Sequence, residues 1–356
     1  MGLSMIKEAD IKFPDIPFRK TAALVAVGLA LYMGYLYLAG LGNVKYVLLH
    51  ADYRFLGLAI LVSLAGNLFH AAGWWTLLKK GMNYQISLPR AYLIYLSSTF
   101  FVNLIPPAAI SGEIAKIYFV DKSTPDARFD KTAAAGLMSR ILETMPTAAV
   151  VIIGVAYLAL YYNIPGWALA FCFIVAGVFI LIAALALAVM LDNPLLRRTS
   201  ARAFRLLGRI FRRHDFSARA EHIDLVLQQF DVSLRSITGR PLLVIAALSL
   251  IFIAWCLDMA VAYLAFLTVE YHVSALLVVT IFSIIVILQL LPTFLPGGLG
   301  LIDALMTVLY LALGVPRDAA AGATIMIRLI TLWFLTILGA VVSVYLVKVF
   351  GKNDKK

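Results

Sequence analysis

Long apolar runs alternate with short polar stretches along the whole chain. A hydrocarbon core about 30 Å thick takes roughly 20 apolar residues of helix. The windows 21–41, 55–77, 132–160, 167–191, 241–269 and 319–349 reach that length. The pattern therefore predicts about six membrane-spanning helices. Two further apolar stretches break midway. In the first, residues 91–120, AYLIYLSSTFFVNL is followed by Pro106 and Pro107, which lack backbone donors and end a helix. In the second, residues 273–313, LPTFLPGGLGLID interrupts one of the most apolar parts of the chain. Each is read as a re-entrant hairpin, since irregular backbone survives at membrane depth only where protein or a water-filled cavity satisfies its polar groups.

Charge gives the orientation. The segment 192–240 carries Arg197, Arg198, Arg202, Arg205, Arg209, Arg212, Arg213, Arg219, Arg235 and Arg240, which outnumber its acids and place it in the cytoplasm. Within it, SARAFRLLGRIFRRHDF spaces arginines every three or four residues, with Phe204, Leu207 and Phe211 on another face, so it reads as a basic amphipathic helix on the leaflet surface. Counting spans from there puts 161–166 and 270–272 outside, and both termini inside. The first hairpin then starts and ends inside and the second starts and ends outside, the parity of an inverted repeat. The domain scheme is one integral membrane unit: 1–191 with the hairpin 91–120, the cytoplasmic helices 192–240, and 241–356 with the hairpin 273–313.

Composition agrees with this all-α polytopic membrane class. Of the 356 residues 63% are hydrophobic and 14% charged, and mean hydropathy is +0.94. The net charge of +11 lies beside the spans, so it points to anionic lipid and not to nucleic acid. Cys172 and Cys256 lie in apolar runs with no metal or redox spacing. No cleaved signal peptide is expected from the acidic N-terminal stretch and the full-length span after it. No cofactor or metal is expected, and no phosphate-binding loop for ATP is present in the sequence.

The candidate chemistry lies in charges inside apolar segments. A charge at mid-bilayer costs about 2.5–3.5 kcal/mol on insertion scales, so it faces a partner or a wet cavity. Glu113 and Lys116 follow the first turn. Arg140 and Glu143 sit one helical turn apart. Asp258 interrupts IFIAWCLDMAVAYL, Asp303 follows the second turn, and Arg328 lies in TIMIRLITLWF. Pro296, Gly297, Gly298 and Gly300 allow unusual dihedrals, and the half-helix after them would point free N–H groups at the cavity. His70, Asn67 and Asn103 are further cavity candidates, with packing the bland alternative for Asn67 and His70, and helix ending the economical one for Asn103. Trp74 and Trp75, near the interface, read as packing and anchoring residues. The bland alternatives are a surface ion pair for Arg140 and Glu143, a lone hydrogen-bonder for Asp258, and a tight packed turn for PGGLG.

Asn103-x-x-Pro106 with Gly112-Glu113, Arg140-x-x-Glu143, and Pro296-Gly297-Gly298-Leu299-Gly300-x-x-Asp303 followed by Arg328 together resemble the lysylphosphatidylglycerol synthase transmembrane-region family. The resemblance covers roughly residues 20 to 350. It implies an inner or plasma membrane protein of flippase type. Some members carry a soluble aminoacyl-transfer domain that makes the lipid the membrane part then flips. This chain has no room for that domain, has Asp303 where the family shows Glu, and has Ser111-Gly112 where a Gly pair is common. The expected function is movement of a lipid headgroup between leaflets, with Arg140 and Arg328 neutralising phosphate. The partners would be anionic, aminoacylated or polyprenyl-phosphate lipids, and a homo-oligomer is compatible. The alternatives are a transferase acting on a lipid-linked substrate and a secondary transporter of a small anion.

Overall fold

The apolar windows fold as helices, and all regular structure among the described residues is helical. The computed structural model describes residues 18–39, 49–105, 108–124, 127–161, 232–290 and 295–351, with scattered positions between 166 and 181. The helices are α1 (Phe18–Ala39), α2 (Tyr53–Thr76), α3 (Leu88–Leu104), α4 (Ala108–Ser123), α5 (Phe129–Tyr161), α6 (Pro241–Thr268), α7 (Ala275–Leu290), α8 (Leu301–Ala312), α9 (Arg317–Arg328) and α10 (Leu335–Gly351). A π turn, Leu77–Gly81, extends α2, and another, Leu329–Phe334, joins α9 to α10. Four rods are long and apolar enough to cross a membrane: Tyr53–Gly81, Phe129–Tyr161, Pro241–Thr268 and Arg317–Phe350. These four meet the expected spans 55–77, 132–160, 241–269 and 319–349. The window 21–41 falls on α1. The window 167–191 lies largely outside the described residues, as do the Arg-rich helix of 198–212 and the termini.

Close packing of α2 on α6 organises the bundle. Gly66, His70 and Gly73 lie at i, i+4 and i+7, on one face of α2. A Cβ on Gly73 would come within 2.6 Å of the Ile251 side chain, and one on Gly66 within 3.0 Å of an Asp258 oxygen. These missing side chains let the two backbones approach, as small residues do between membrane helices. The same device joins α3 to α10. A Cβ on Gly339 would lie 2.5 Å from the Leu96 carbonyl oxygen, and the Ser97 and Ser343 hydroxyls are hydrogen-bonded at 2.7 Å.

Side-chain bonds define the two ends of the bundle. At one end, Tyr84 in the α2–α3 loop accepts from the Arg128 N–H at 2.7 Å and donates to the Arg128 carbonyl at 3.1 Å. Burial pushes the Tyr84 hydroxyl above its usual range and keeps it a neutral donor. Asp130 accepts from Ser233 at 2.8 Å, Arg240 donates to the Lys80 carbonyl, and Arg90, at the start of α3, donates to the Ser123 carbonyl at the end of α4. The pair α3 and α4 thus starts and finishes at this end. At the other end, the Asp52 N–H donates to the Thr268 carbonyl, and Val315, just past α8, shares a core cluster with Phe266. The pair α7 and α8 starts and finishes there. The α3–α4 turn residues 106 and 107, and 291–294 before the second turn, lie outside the described residues.

Candidate functional site

The sequence candidates assemble into two groups. The first is a chain of six side chains carried by four helices. Lys116 Nζ lies 2.9 Å from Glu113 Oε1, and Arg140 Nε lies 3.0 Å from the same oxygen. Arg140 also donates to Glu143 Oε2 at 3.2 Å. His70 Nδ1 stands 3.9 Å from Glu143 Oε1, and His70 Nε2 lies 2.9 Å from Asp258 Oδ2. The group therefore joins α2, α4, α5 and α6. At 1.5 Å rise per residue, Asp258 is roughly 15 Å from the Thr268 end of α6 and Arg140 roughly 17 Å from the Phe129 start of α5, well inside the apolar rods.

Local sequence places each member. Arg140 and Glu143 share a face because they are three residues apart on α5, and Pro146, within α5, cannot donate back to the Leu142 carbonyl. Gly136 leaves the space that the Glu113 carboxylate fills, and Gly66 does the same for Asp258. Lys116 is buried, with 1% of its side chain open, and its ammonium lies 4.8 Å over the Tyr95 ring and 5.5 Å over the Trp74 ring. Tyr95 also stacks on His70 with centroids 6.0 Å apart. Arg140 and Asp258 are the open members, with 33% and 34% of their side chains exposed. Of the two roles expected for Trp74, it packs: the indole is fully buried against the Lys116 ammonium, where cation–π contact compensates part of the desolvation of that lysine. Trp75, with its N–H on the Ile86 carbonyl and Lys79 over its ring, lies towards the end of the rod. Asn67 turns its amide to the Ser63 carbonyl of its own helix.

The second group ties the PGGLG turn to α9. Gly297, Gly298 and Gly300 have φ of +56°, +64° and +78°, conformations that side chains rarely adopt. Gly300 also has α1 across it, so an added Cβ would meet the Leu31 backbone at 2.6 Å. Asp303 is completely buried. Its Oδ2 accepts the Gly300 N–H at 2.9 Å and its Oδ1 accepts from Arg328 Nε at 3.0 Å. Arg328 also donates to the Gly297 carbonyl. The start of α8, expected to offer free N–H groups to the cavity, is thus met by the chain's own carboxylate, which reaches back from the first turn. Around it, Tyr35 of α1, Thr307 of α8 and Thr324 of α9 form a hydroxyl chain at 2.9 and 3.1 Å.

The tips of the two broken segments meet. Asn103, a cavity candidate and expected helix end, donates to Thr336 of α10 at 2.8 Å, and the Asn103 carbonyl lies beside Gly297. A cleft of about 150 Å³ opens there, with Asn103, Gln289, Gly297, Arg328 and Thr331 contributing its polar lining. Tyr95, Gln289 and Thr331 escaped the sequence reading. Gln289 carried a signal, as a lone amide in IIVILQL; Tyr95 and Thr331 are common helix residues that only tertiary packing singles out. No cluster among the described residues has the donors to hold a metal ion.

The model of the lysylphosphatidylglycerol synthase transmembrane region matches residues 24–339, which include both charged groups and both tips. The chain belongs to the lysylphosphatidylglycerol synthase transmembrane-region family. Relatives from this family background align over nearly their full length. The UPF0104 membrane protein PH1989 of Pyrococcus horikoshii is 26% identical over 330 residues, 90% of this chain and 96% of the relative. A UPF0104 membrane protein of Methanothermobacter thermautotrophicus is 24% identical over 92% of this chain and 95% of its own length. UPF0104 membrane protein MJ1595 of Methanocaldococcus jannaschii is 21% identical over 96% and 99%. These relatives share this chain's span, with no added soluble domain. No solved structure matches the chain.

Proposed function

We propose that the protein moves a lipid headgroup between the leaflets of the cell membrane, the tails remaining in the bilayer. The observation that carries this reading is the ion chain from Lys116 to Asp258, held at membrane depth with Arg140 and Asp258 open. Burying charges of this kind costs free energy that packing alone would avoid, so their retention fits a polar pathway. The family name supports a lipid substrate, since it belongs to the membrane part of a phospholipid-modifying synthase. In this reading α3–α4 and α7–α8 are re-entrant hairpins of an inverted repeat, six helices span, and both termini are cytoplasmic. The lengths of α4 and α7, 16 residues each, favour it, being under the roughly 20 a crossing needs. Anionic or polyprenyl-phosphate headgroups would meet Arg140, while Arg328, bonded to Asp303 and the Gly297 carbonyl, holds the turn.

Transbilayer movement of reporter lipids in proteoliposomes tests the reading, with anionic, zwitterionic, aminoacylated and polyprenyl-phosphate lipids compared. Faster movement of one class than in empty vesicles, reduced at least about tenfold by Arg140→Ala, a loss of about 1.4 kcal/mol, is the expected result. No acceleration of any lipid would overturn it.

A further inference from the structure

The six-membered ion chain does not balance with its permanent charges alone. Lys116 and Arg140 supply two cations; Glu113, Glu143 and Asp258 supply three carboxylates. Lys116 and Arg140 share Glu113, and Arg140 also holds Glu143. Asp258 is left with His70 as its partner among the described contacts. The other imidazole nitrogen, Nδ1, is buried without a hydrogen bond and faces Glu143 Oε1 at 3.9 Å. A buried imidazole set between two carboxylates from different helices is arranged to carry a proton. The groups around it are Tyr95 of α3, Glu113 and Lys116 of α4, Ser139, Arg140 and Glu143 of α5, and Asp258 of α6; the π turn Leu329–Phe334 contributes no titratable group.

We propose that His70, with Asp258 and Glu143, is a proton-binding site, and that a proton and an anionic headgroup cross together. This rests on the lipid-transport reading above. With His70 protonated the chain sums to zero, α2 is held to both α5 and α6, and an anionic phosphate approaches Arg140 against no net negative charge. When the proton leaves His70 for water on the side to which the site opens, the chain carries one negative charge. That charge repels the phosphate, and the attraction of α2 for Glu143 is lost. Proton and phosphate thus arrive and leave as a pair, and a proton gradient drives the headgroup in its own direction.

The experiment uses the full chain in phosphatidylcholine vesicles containing acyl-labelled phosphatidylglycerol, with a pH-sensitive dye inside. A one-unit gradient, acid on the donor side, should speed movement of the labelled lipid by up to about tenfold, the ratio of proton activities. An imposed lipid gradient should acidify the receiving lumen. His70→Gln should remove the response to the gradient. His70→Lys, which keeps a fixed cation between the carboxylates, should do the same if the glutamine variant fails to fold. Lipid movement that ignores the gradient and moves no protons would overturn the proton site and leave lipid transport standing. A gradient response that persists in His70→Lys would overturn the assignment to His70. If no lipid moves at any pH, both readings fall.

Discussion

The two arginines have similar settings in the sequence and different situations in the fold. Arg328 is almost wholly buried and donates to Asp303 and to the Gly297 carbonyl. Removing one member of such a pair leaves the other charge buried alone, which costs about 3–5 kcal/mol. Arg328→Ala and Asp303→Ala should each lower the thermal unfolding midpoint in detergent by that equivalent, while Asp303→Leu with Arg328→Met should recover most of the loss. A double variant no better than the singles would mean that the Gly297 contact dominates. Arg140 keeps a third of its surface open, so Arg140→Ala should reduce lipid movement with a smaller stability change. At this scale the sequence was informative in part: a charge in an apolar run stands out by itself. Its partner does not, because Arg328 and Asp303 are joined across 25 residues and His70 and Asp258 across 188.

Helices and breaks were readable because they rest on local chemistry. The windows at 55–77, 132–160 and 241–269 lie within or nearly within α2, α5 and α6, since about 20 apolar residues leave few other options. Less local features were not readable, among them the two π turns and the contact of Asn103 with α10, which depend on what packs alongside. The glycines of the second turn were legible as permissive, but the crossing of α1 over Gly300 was not. That crossing separates two otherwise similar substitutions. Gly314→Ala, at φ +85° with open space around it, should cost only about 1–2 kcal/mol for its left-handed backbone. Gly300→Ala adds a collision with the Leu31 backbone to the same strain and should cost clearly more. Equal unfolding midpoints for the two variants would show that α1 does not bear on the turn.

Across the whole molecule, the end that holds Lys80, Arg90, Arg128 and Arg240 is basic, and the end that holds Asp52 and Glu270 is not. The span count anticipated that these loops share an end, because positive residues mark one side of a membrane. In a background lacking Cys172 and Cys256, a cysteine at exposed Gln85 should react with a membrane-impermeant thiol reagent only from inside, and one at exposed His272 only from outside. Labelling of both from one side would remove the inverted arrangement of the two broken segments. The stitching of Arg328 to the second turn also limits how such a molecule can move. A helix turns about 100° per residue, so a one-residue slip of the long rod Arg317–Phe350 would swing Arg328 off Asp303 and pull on Gly297. The rod, the glycine turn and α8 are geared together, so any rocking that keeps these bonds must carry all three as one body.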